Sequence, residues 1–360
     1  MGEGRRVDLD DPASWSGLDE HGMLAMGEDF PRQCREGLAI GEGVELSSRY
    51  TEMPANIVVC GMGGSAIGGD LFAKIFEEQL PVPVQVVRDY ALPSFVDERT
   101  LVIACSYSGN TEEVLSAYRE AVARGSRVLA VTSGGQLEQA SLANRTPVAK
   151  VPGGRPPRAS TGYMLMPLVA LAPRMGLVPP VSGAVNETLR LLDQQADAFG
   201  HHTPAAGNHA KKLAQHLAGR FPLIYGTAPF MGPVAFRWRT QLNENSKVLA
   251  ISAELPEMNH NEVVGWELGL GMVNRPAVVF LTIADEHPRI ADRLLITQEL
   301  LGEDADPQVE IALGTARLAQ VMTAMYLGDM MTLYLAFLNG VDPYTITPIN
   351  TLKRRLAELT

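Results

Sequence analysis

The apolar positions of this chain fall into short unbroken runs separated by longer mixed stretches. Ile57–Cys60, Val84–Val87, Leu101–Cys105 and Val128–Thr132 are such runs, and Thr146–Val151 is a weaker one. Runs of this length, rich in Val and Ile, predict strands buried on both faces. Between them apolar residues recur at helical spacing, from Leu71 to Glu78 and from the acidic pair Glu112–Glu113 to Arg124. Strand alternating with helix predicts a parallel sheet with helices on both faces. Beyond residue 200 the pattern restarts. Phe221–Tyr225, Val248–Ser252 and Ala277–Thr282 predict strands, Val234–Lys247 a helix and Pro288–Ile296 the start of another.

The rest of the chain punctuates these two units. Met23–Ala39 has a loose helical pattern and Val44–Tyr50 a shorter one. Val151–Tyr163 (VPGGRPPRASTGY) is too rich in Pro and Gly for regular structure and predicts an ordered loop or hinge. Ser182–Phe199 predicts a helix bridging the halves, and Ala206–Ala218 another that ends at Gly219. Gln308–Leu338 predicts one long helical region, broken near Gly328 because glycine is a poor helix former. Asn350–Leu359 predicts a short terminal helix. The fold class is therefore α/β in two units, each a parallel sheet flanked by helices, with a helical C-terminal end. The boundaries expected are an extension over 1–35, a first α/β domain over 36–185, a linker over 186–205 and a second domain over 206–360. The restart suggests an internal duplication.

Composition narrows the function classes. A chain of 360 residues exceeds the usual single domain. The net charge of -11 argues against non-specific nucleic-acid binding as the main role. Cys34, Cys60 and Cys105 suggest neither a disulfide framework nor a zinc site. The first residues lack the apolar run of a signal peptide. The apolar segment Tyr163–Pro173 is too short to span a bilayer and contains prolines. The expectation is a cytoplasmic protein with no membrane or nucleic-acid partner.

Two stretches could hold an anion. IVVCGMGGSAIGGD (Ile57–Asp70) sets a glycine cluster between a strand and a helix, and SYSGNTEE (Ser106–Glu113) repeats the arrangement. Helix N-termini carry unpaired N–H groups and favour negative charge. Ser65, Ser106, Ser108 and Thr111 add hydroxyls suited to phosphate oxygens. Thr111 before Glu112 and Glu113 also suits a helix N-cap, and the two roles are compatible. Gly61, Gly63 and Ala66 fit the dinucleotide fingerprint, but the acidic residue expected after the second strand is poorly placed, with Asp89 late and behind Arg88.

The second half holds RWRTQLNENSK and ELPEMNHNEVVGWE. Glu244 lies between Asn243 and Asn245 on a helix with Trp238 and Leu242, a setting that suits either a general base or an ordinary surface glutamate. His260, between two amides and beside Glu262, could shuttle protons near neutral pH or be structural. Arg158 follows two prolines, a stiff platform for a functional arginine, and reads equally as a surface residue. Lys353 in LKRRLAE has the look of solvated helix charge. His209 and His216, seven apart with no acidic ligand nearby in sequence, make a poor metal site.

GMGGSAIGGDL, SYSGNTEE, NENSK, PEMNHNE and LKRRLAE together resemble the bifunctional phosphoglucose/phosphomannose isomerase family of the sugar isomerase (SIS) domain superfamily, over roughly residues 35–358. The resemblance implies two SIS subdomains, each with a five-stranded parallel sheet. It implies a homodimer with active sites near the subunit interface, a phosphorylated hexose as substrate and no cofactor or metal. By the same resemblance Gly64, Ser65, Ser106, Ser108 and Thr111 hold the phosphate, Glu244 is the catalytic base and His260 opens the sugar ring from the neighbouring subunit. Lys353 assists ring opening, Arg158 stabilises the enediolate, and Thr345 or Thr347 relates to accepting mannose 6-phosphate. The implied reaction is aldose–ketose isomerisation of glucose 6-phosphate and mannose 6-phosphate to fructose 6-phosphate. The alternatives are another SIS sugar-phosphate isomerase or a non-catalytic sugar-phosphate sensor, with a dinucleotide enzyme the weakest.

Overall fold

The computed structural model describes residues 7–272, 275–302 and 305–359; two 3-10 turns, Pro12–Ser14 and Ser16–Leu18, lead into helices α1 (Met23–Glu28) and α2 (Phe30–Gly43). The helical pattern expected over Met23–Ala39 is split at Asp29, whose carboxylate is taken by Arg32 and Arg155. Val44–Tyr50 is not a helix; only Ser48–Thr51 makes a 3-10 turn.

The first sheet follows as β1 (Asn56–Gly61), α3 (Gly63–Ile75), β2 (Val84–Val87), β3 (Thr100–Cys105), α4 (Glu112–Ala123), β4 (Arg127–Thr132), α5 (Gly135–Ala143) and β5 (Val148–Lys150). Its strands lie in the order β2-β1-β3-β4-β5, all parallel, with Cys60 opposite Val87 on one side and Ala104 on the other. The chain order reverses between β1 and β3. In open α/β sheets the crevice beyond the strand ends at such a point is where ligands bind.

A 3-10 turn, Pro157–Ala159, and α6 (Thr161–Arg174) come next. The apolar segment at Tyr163 is thus a helix, buried from Thr161 to Ala172 against α2 and α3. Then come α7 (Ser182–Phe199), at the predicted bounds, and α8 (His209–Leu217). The first residues of the segment expected as a linker lie within α7.

The second sheet is built from β6 (Phe221–Thr227), α9 (Met231–Glu244), β7 (Ile251–Leu255), α10 (Glu262–Met272), β8 (Pro276–Thr282), α11 (Pro288–Leu301) and β9 (Gln308–Ile311). Its order, β7-β6-β8-β9, repeats that of the first sheet without the last strand. Among the described residues it has four strands where five were implied. Two helices close the chain, α12 (Arg317–Leu338) and α13 (Thr347–Ala357).

Two differences from the sequence reading have clear causes. The strand expected at Val248 begins at Ile251, because the Val248 N–H donates to the Leu242 carbonyl at 3.1 Å and holds the chain in a turn. The helix expected from Gln308 begins at Arg317, since Gln308–Ile311 pairs with β8, and it runs through Gly328 without a break. A Cβ at Gly328 would lie 2.1 Å from the Trp238 indole nitrogen. The glycine lets α9 approach α12, and packing holds the helix where propensity is weak.

α12 is long and apolar enough to cross a membrane by length and composition alone. In the fold it is covered by α1, α7, α8 and α9. One continuous apolar cluster, including Phe30, Tyr163, Trp238, Tyr326 and Met330, joins both sheets. The two units therefore share a core, and residues distant in sequence meet at their junction.

Candidate active site

The residues expected to hold an anion sit at the crevice between β1 and β3. Ser65 lies in the first turn of α3, and its Oγ accepts from the Tyr107 N–H at 3.1 Å. That bond joins the glycine stretch to the loop after β3. Ser106 is fully buried, shares a hydrogen bond of 2.8 Å with Thr111 Oγ1 and accepts from the Gly109 N–H at 3.1 Å. Thr111 stands at the N-cap position of α4, but its hydroxyl faces Ser106 and makes no cap bond. Ser108 is exposed on the same loop, its Oγ accepting from the Asn110 N–H at 3.3 Å. The first turns of α3 and α4 are thus tied together, as an oxyanion held by both would need.

Gly64 connects this pocket to the second half of the site. A Cβ there would lie 2.9 Å from the Pro157 carbonyl oxygen and 3.2 Å from the Arg158 nitrogen. Only glycine lets the α3 N-terminus touch the turn that carries Arg158.

Arg158 is buried and points toward the end of α9. Its Nε donates to Asn245 Oδ1 at 2.9 Å, and Nη2 donates to the carbonyls of Pro343 at 2.6 Å and Tyr344 at 2.7 Å. Nη1 lies 3.6 Å from Glu244 Oε2. The two Nη1 hydrogens remain for Glu244 or for a substrate oxygen. Burial pulls Arg158 below its usual range, while Glu244 and Asp342 oppose that. A guanidinium starts so high that it stays charged.

Glu244 closes α9, and its side chain is 28% exposed. Lys247 Nζ donates to the carbonyls of Glu244 and Asp342, each at 2.7 Å. It clamps the end of α9 to the loop that holds Arg158. Burial first, then nearby Arg158, push Lys247 down to about 8. A cavity of about 30 Å³ lies behind the pair, lined in part by Arg158, Arg237, Gln241, Asn245 and Asp329. It has room for about one water and none for a sugar.

Comparison with known proteins identifies the family. Residues 53–154 match the SIS domain, and residues 206–356 match the Bacterial phospho-glucose isomerase C-terminal SIS domain. A bifunctional phosphoglucose/phosphomannose isomerase from Caldicellulosiruptor bescii is 38% identical over 332 residues, 92% of this chain and 98% of its own. The chain belongs to the phosphoglucose/phosphomannose isomerase family of SIS-domain proteins. A D-glucosamine-6-phosphate 4-epimerase from Sulfolobus acidocaldarius is 30% identical over 68% of this chain and 74% of its own length. The fold is shared with a glucose-6-phosphate isomerase like protein from Thermus thermophilus, with a TM-score of 0.64 at 22% identity over 98% of this chain and 100% of that one.

The remaining family positions do not all converge in one chain. His260 ends a 3-10 turn after β7 and is exposed, and Lys353 is exposed on α13. No hydrogen bond or ion pair joins either to Glu244 or Arg158 among the described residues. Thr345 bonds Asp342 through its hydroxyl, next to the two carbonyls that hold Arg158, and Thr347 opens α13. In the second sheet, the helix that corresponds to α3 is α9, and Glu254 packs its carboxylate on Gly232 in the first turn of α9. That helix start already has an acid beside it, which disfavours a second phosphate there.

Sequence reading passed over several members of this centre. Arg237, Gln241 and Asn245 share one buried face of α9 at intervals of four residues. Asp329, a lone acid in the apolar run of α12, bonds Arg237 through both oxygens at 3.0 and 2.7 Å. Burial pushes its carboxyl up and Arg237 opposes that. The signal available in the sequence was an unpaired charge inside an otherwise apolar stretch.

Proposed function

We propose that this protein interconverts glucose 6-phosphate and mannose 6-phosphate with fructose 6-phosphate through an enediolate, as a homodimer. One observation carries the reading. Glu244 Oε2 stands 3.6 Å from the Arg158 guanidinium, and the Arg158 turn abuts the serine-lined N-terminus of α3. An aldose–ketose step requires a base at C2 and a cation facing the oxygen that gains charge.

In the proposed cycle the substrate phosphate binds at Gly64, Ser65, Ser106, Ser108 and Thr111. Its binding energy holds C2 within reach of Glu244. His260 of the partner subunit, with Lys353, moves the protons that open the ring. Glu244 takes the C2 proton. The electron pair left behind forms the C1=C2 bond, and the negative charge gathers on the C1 oxygen opposite Arg158. A proton passes from the C2 oxygen to the C1 oxygen, Glu244 returns its proton to C1, and the carbonyl re-forms at C2. A general base of this kind is worth about 100- to 10,000-fold in rate. Glucose and mannose phosphates differ only at C2 and give the same planar enediolate, so a site that presents either C2–H to Glu244 handles both.

The test is a coupled assay of purified protein on each aldose phosphate, with EDTA present. Fructose 6-phosphate should form from both, and the Glu244→Gln protein should form none. Bound substrate with no ketose from either sugar would refute the reading.

A second reading, another SIS sugar-phosphate isomerase, is favoured by the similarity to the 4-epimerase. The same phosphate grip could hold a different sugar. Proton NMR of a panel of sugar phosphates incubated in D2O distinguishes them: C2 exchange on glucose and mannose 6-phosphates supports the first reading, turnover confined to another sugar phosphate, such as glucosamine 6-phosphate, the second.

A further inference from the structure

We propose that Asp329 and Thr332, on one inner turn of α12, are positioning residues that hold Arg158 by two struts and so fix its angle to Glu244. The inference rests on the reading of Arg158 and Glu244 as the reacting pair.

Arg158 projects from a three-residue 3-10 turn. So short an element does not by itself aim a long side chain, which has several rotatable bonds to fix. The Pro343 and Tyr344 carbonyls hold Nη2, and two chains of hydrogen bonds supply the rest. The first grips the backbone. The Arg158 carbonyl accepts from Arg237 Nη2 at 2.8 Å. The same nitrogen donates to Asp329 Oδ2 at 2.7 Å, while Arg237 Nε donates to Oδ1 at 3.0 Å. Gln241 Nε2 also donates to Oδ1, at 3.1 Å. Asp329 thus locks the fork whose outer edge carries Arg158.

The second strut grips the side chain. Arg158 Nε donates to Asn245 Oδ1 at 2.9 Å, and Asn245 Nδ2 donates to Thr332 Oγ1 at 3.0 Å. Thr332 Oγ1 donates in turn to the Asp329 carbonyl at 2.9 Å. With its nitrogen occupied by Thr332, the Asn245 amide must turn its oxygen to the arginine. Ser246 Oγ donates to the Thr332 carbonyl at 2.6 Å and pins the chain just beyond Glu244 to the same turn.

Arg237, Gln241 and Asn245 lie along one face of α9, the helix that ends in Glu244. The network therefore sets the guanidinium and the carboxylate relative to each other. Well-packed apolar residues often replace a buried ion pair without loss of stability. They could not present a donor to the Arg158 carbonyl or orient the Asn245 amide.

The experiment uses the full chain, with kcat and KM for fructose 6-phosphate and inhibition by inorganic phosphate. Thr332→Val keeps the side-chain shape and removes the hydroxyl; Asp329→Asn removes the charge that locks Arg237. Each should lower kcat about 10- to 100-fold, the scale of an ångström misplacement at the chemistry. Inhibition by phosphate, which binds at the first sheet, should stay within about twofold. In an Arg158→Lys background the side-chain strut has no guanidinium Nε to aim, and Thr332→Val should cost less than about threefold in kcat. A merely structural role would cost the same factor in both backgrounds, and that result overturns the inference. So does a folded Thr332→Val protein with wild-type kcat, which decides the matter even if Asp329→Asn does not fold. Wild-type kcat in Arg158→Lys would instead refute the catalytic assignment of Arg158, and the inference with it. A crippled Arg158→Lys beside a normal Thr332→Val refutes the inference alone.

Discussion

Replacing Gly328 by alanine tests the contact through which the core reaches the candidate site. Helix propensity favours the change by about 1 kcal/mol. The added Cβ would lie 2.1 Å from Trp238 Nε1 and 2.4 Å from two ring carbons. Trp238 is fully buried, and its Nε1 donates to the Ala324 carbonyl at 3.0 Å, so the ring has no room to swing. Restoring ordinary contact at about 3.4 Å requires α9 and α12 to part by about 1.3 Å. Overpacking of this kind costs about 1–3 kcal/mol, and a lost indole hydrogen bond adds about 1 kcal/mol. Strain wins over propensity, and the net destabilisation should be about 1–3 kcal/mol.

Glu244 lies six residues beyond Trp238 on the same helix, so a tilt of α9 moves it against Arg158. A shift near 1 Å there corresponds to roughly 100-fold in turnover. Urea unfolding and kcat on fructose 6-phosphate measure the two effects. Gly183→Ala in α7 is the control: nothing lies within 4 Å of its Cβ, so the propensity gain should appear alone, at most about 1 kcal/mol. A Gly328→Ala protein more stable than wild type, with unchanged kcat, would refute the packing argument.

Other outcomes follow from the same geometry. Glu244→Gln should abolish C2 proton exchange with solvent while sugar-phosphate binding stays nearly intact; exchange at the wild-type rate would sink the base assignment. Mixing refolded Glu244→Gln and His260→Ala chains should restore part of the activity that each lacks, because one site of the mixed dimer pairs an intact glutamate with an intact partner histidine; no recovery would place His260 in its own chain's site. Ser65→Ala should weaken inhibition by inorganic phosphate roughly tenfold or more, the scale of a hydrogen bond to a charged group, and unchanged inhibition would remove Ser65 from the anion pocket. His209 is raised above its ordinary 6.5, chiefly by its hydrogen bond to Glu310. Its contribution to stability is therefore present below pH 6.5 and lost as pH rises through the raised value. His209→Gln should flatten that part of the stability profile in thermal melts, and an unchanged slope would mean the pair is too well solvated to matter.

The strands and the glycine- and hydroxyl-rich loops after β1 and β3 were the most legible parts of the sequence. Each rests on contiguous residues: β3 on an apolar run, the Ser106 loop on hydroxyls beside a glycine turn. Thr111 takes the N-cap position expected of it, but its hydroxyl bonds Ser106 across the loop in place of a backbone N–H of α4. Glu244 could be named from the NENSK motif, but local sequence left it equally a surface glutamate. Its 3.6 Å separation from Arg158 arises only when α9 packs beside the 3-10 turn.

Local pattern by itself determined the two α/β units, the order of most elements and the hydroxyls at the starts of α3 and α4, because backbone preference and burial act over a few neighbouring residues. Tertiary structure alone decided that Gly328 is an approach point and not a helix break, that Gln308–Ile311 is an edge strand and that Asp329 pairs with Arg237. In each case the deciding partner is remote in the chain: Trp238, β8 and α9. Short-range pattern carries no record of such partners, and close packing of the shared core sets them.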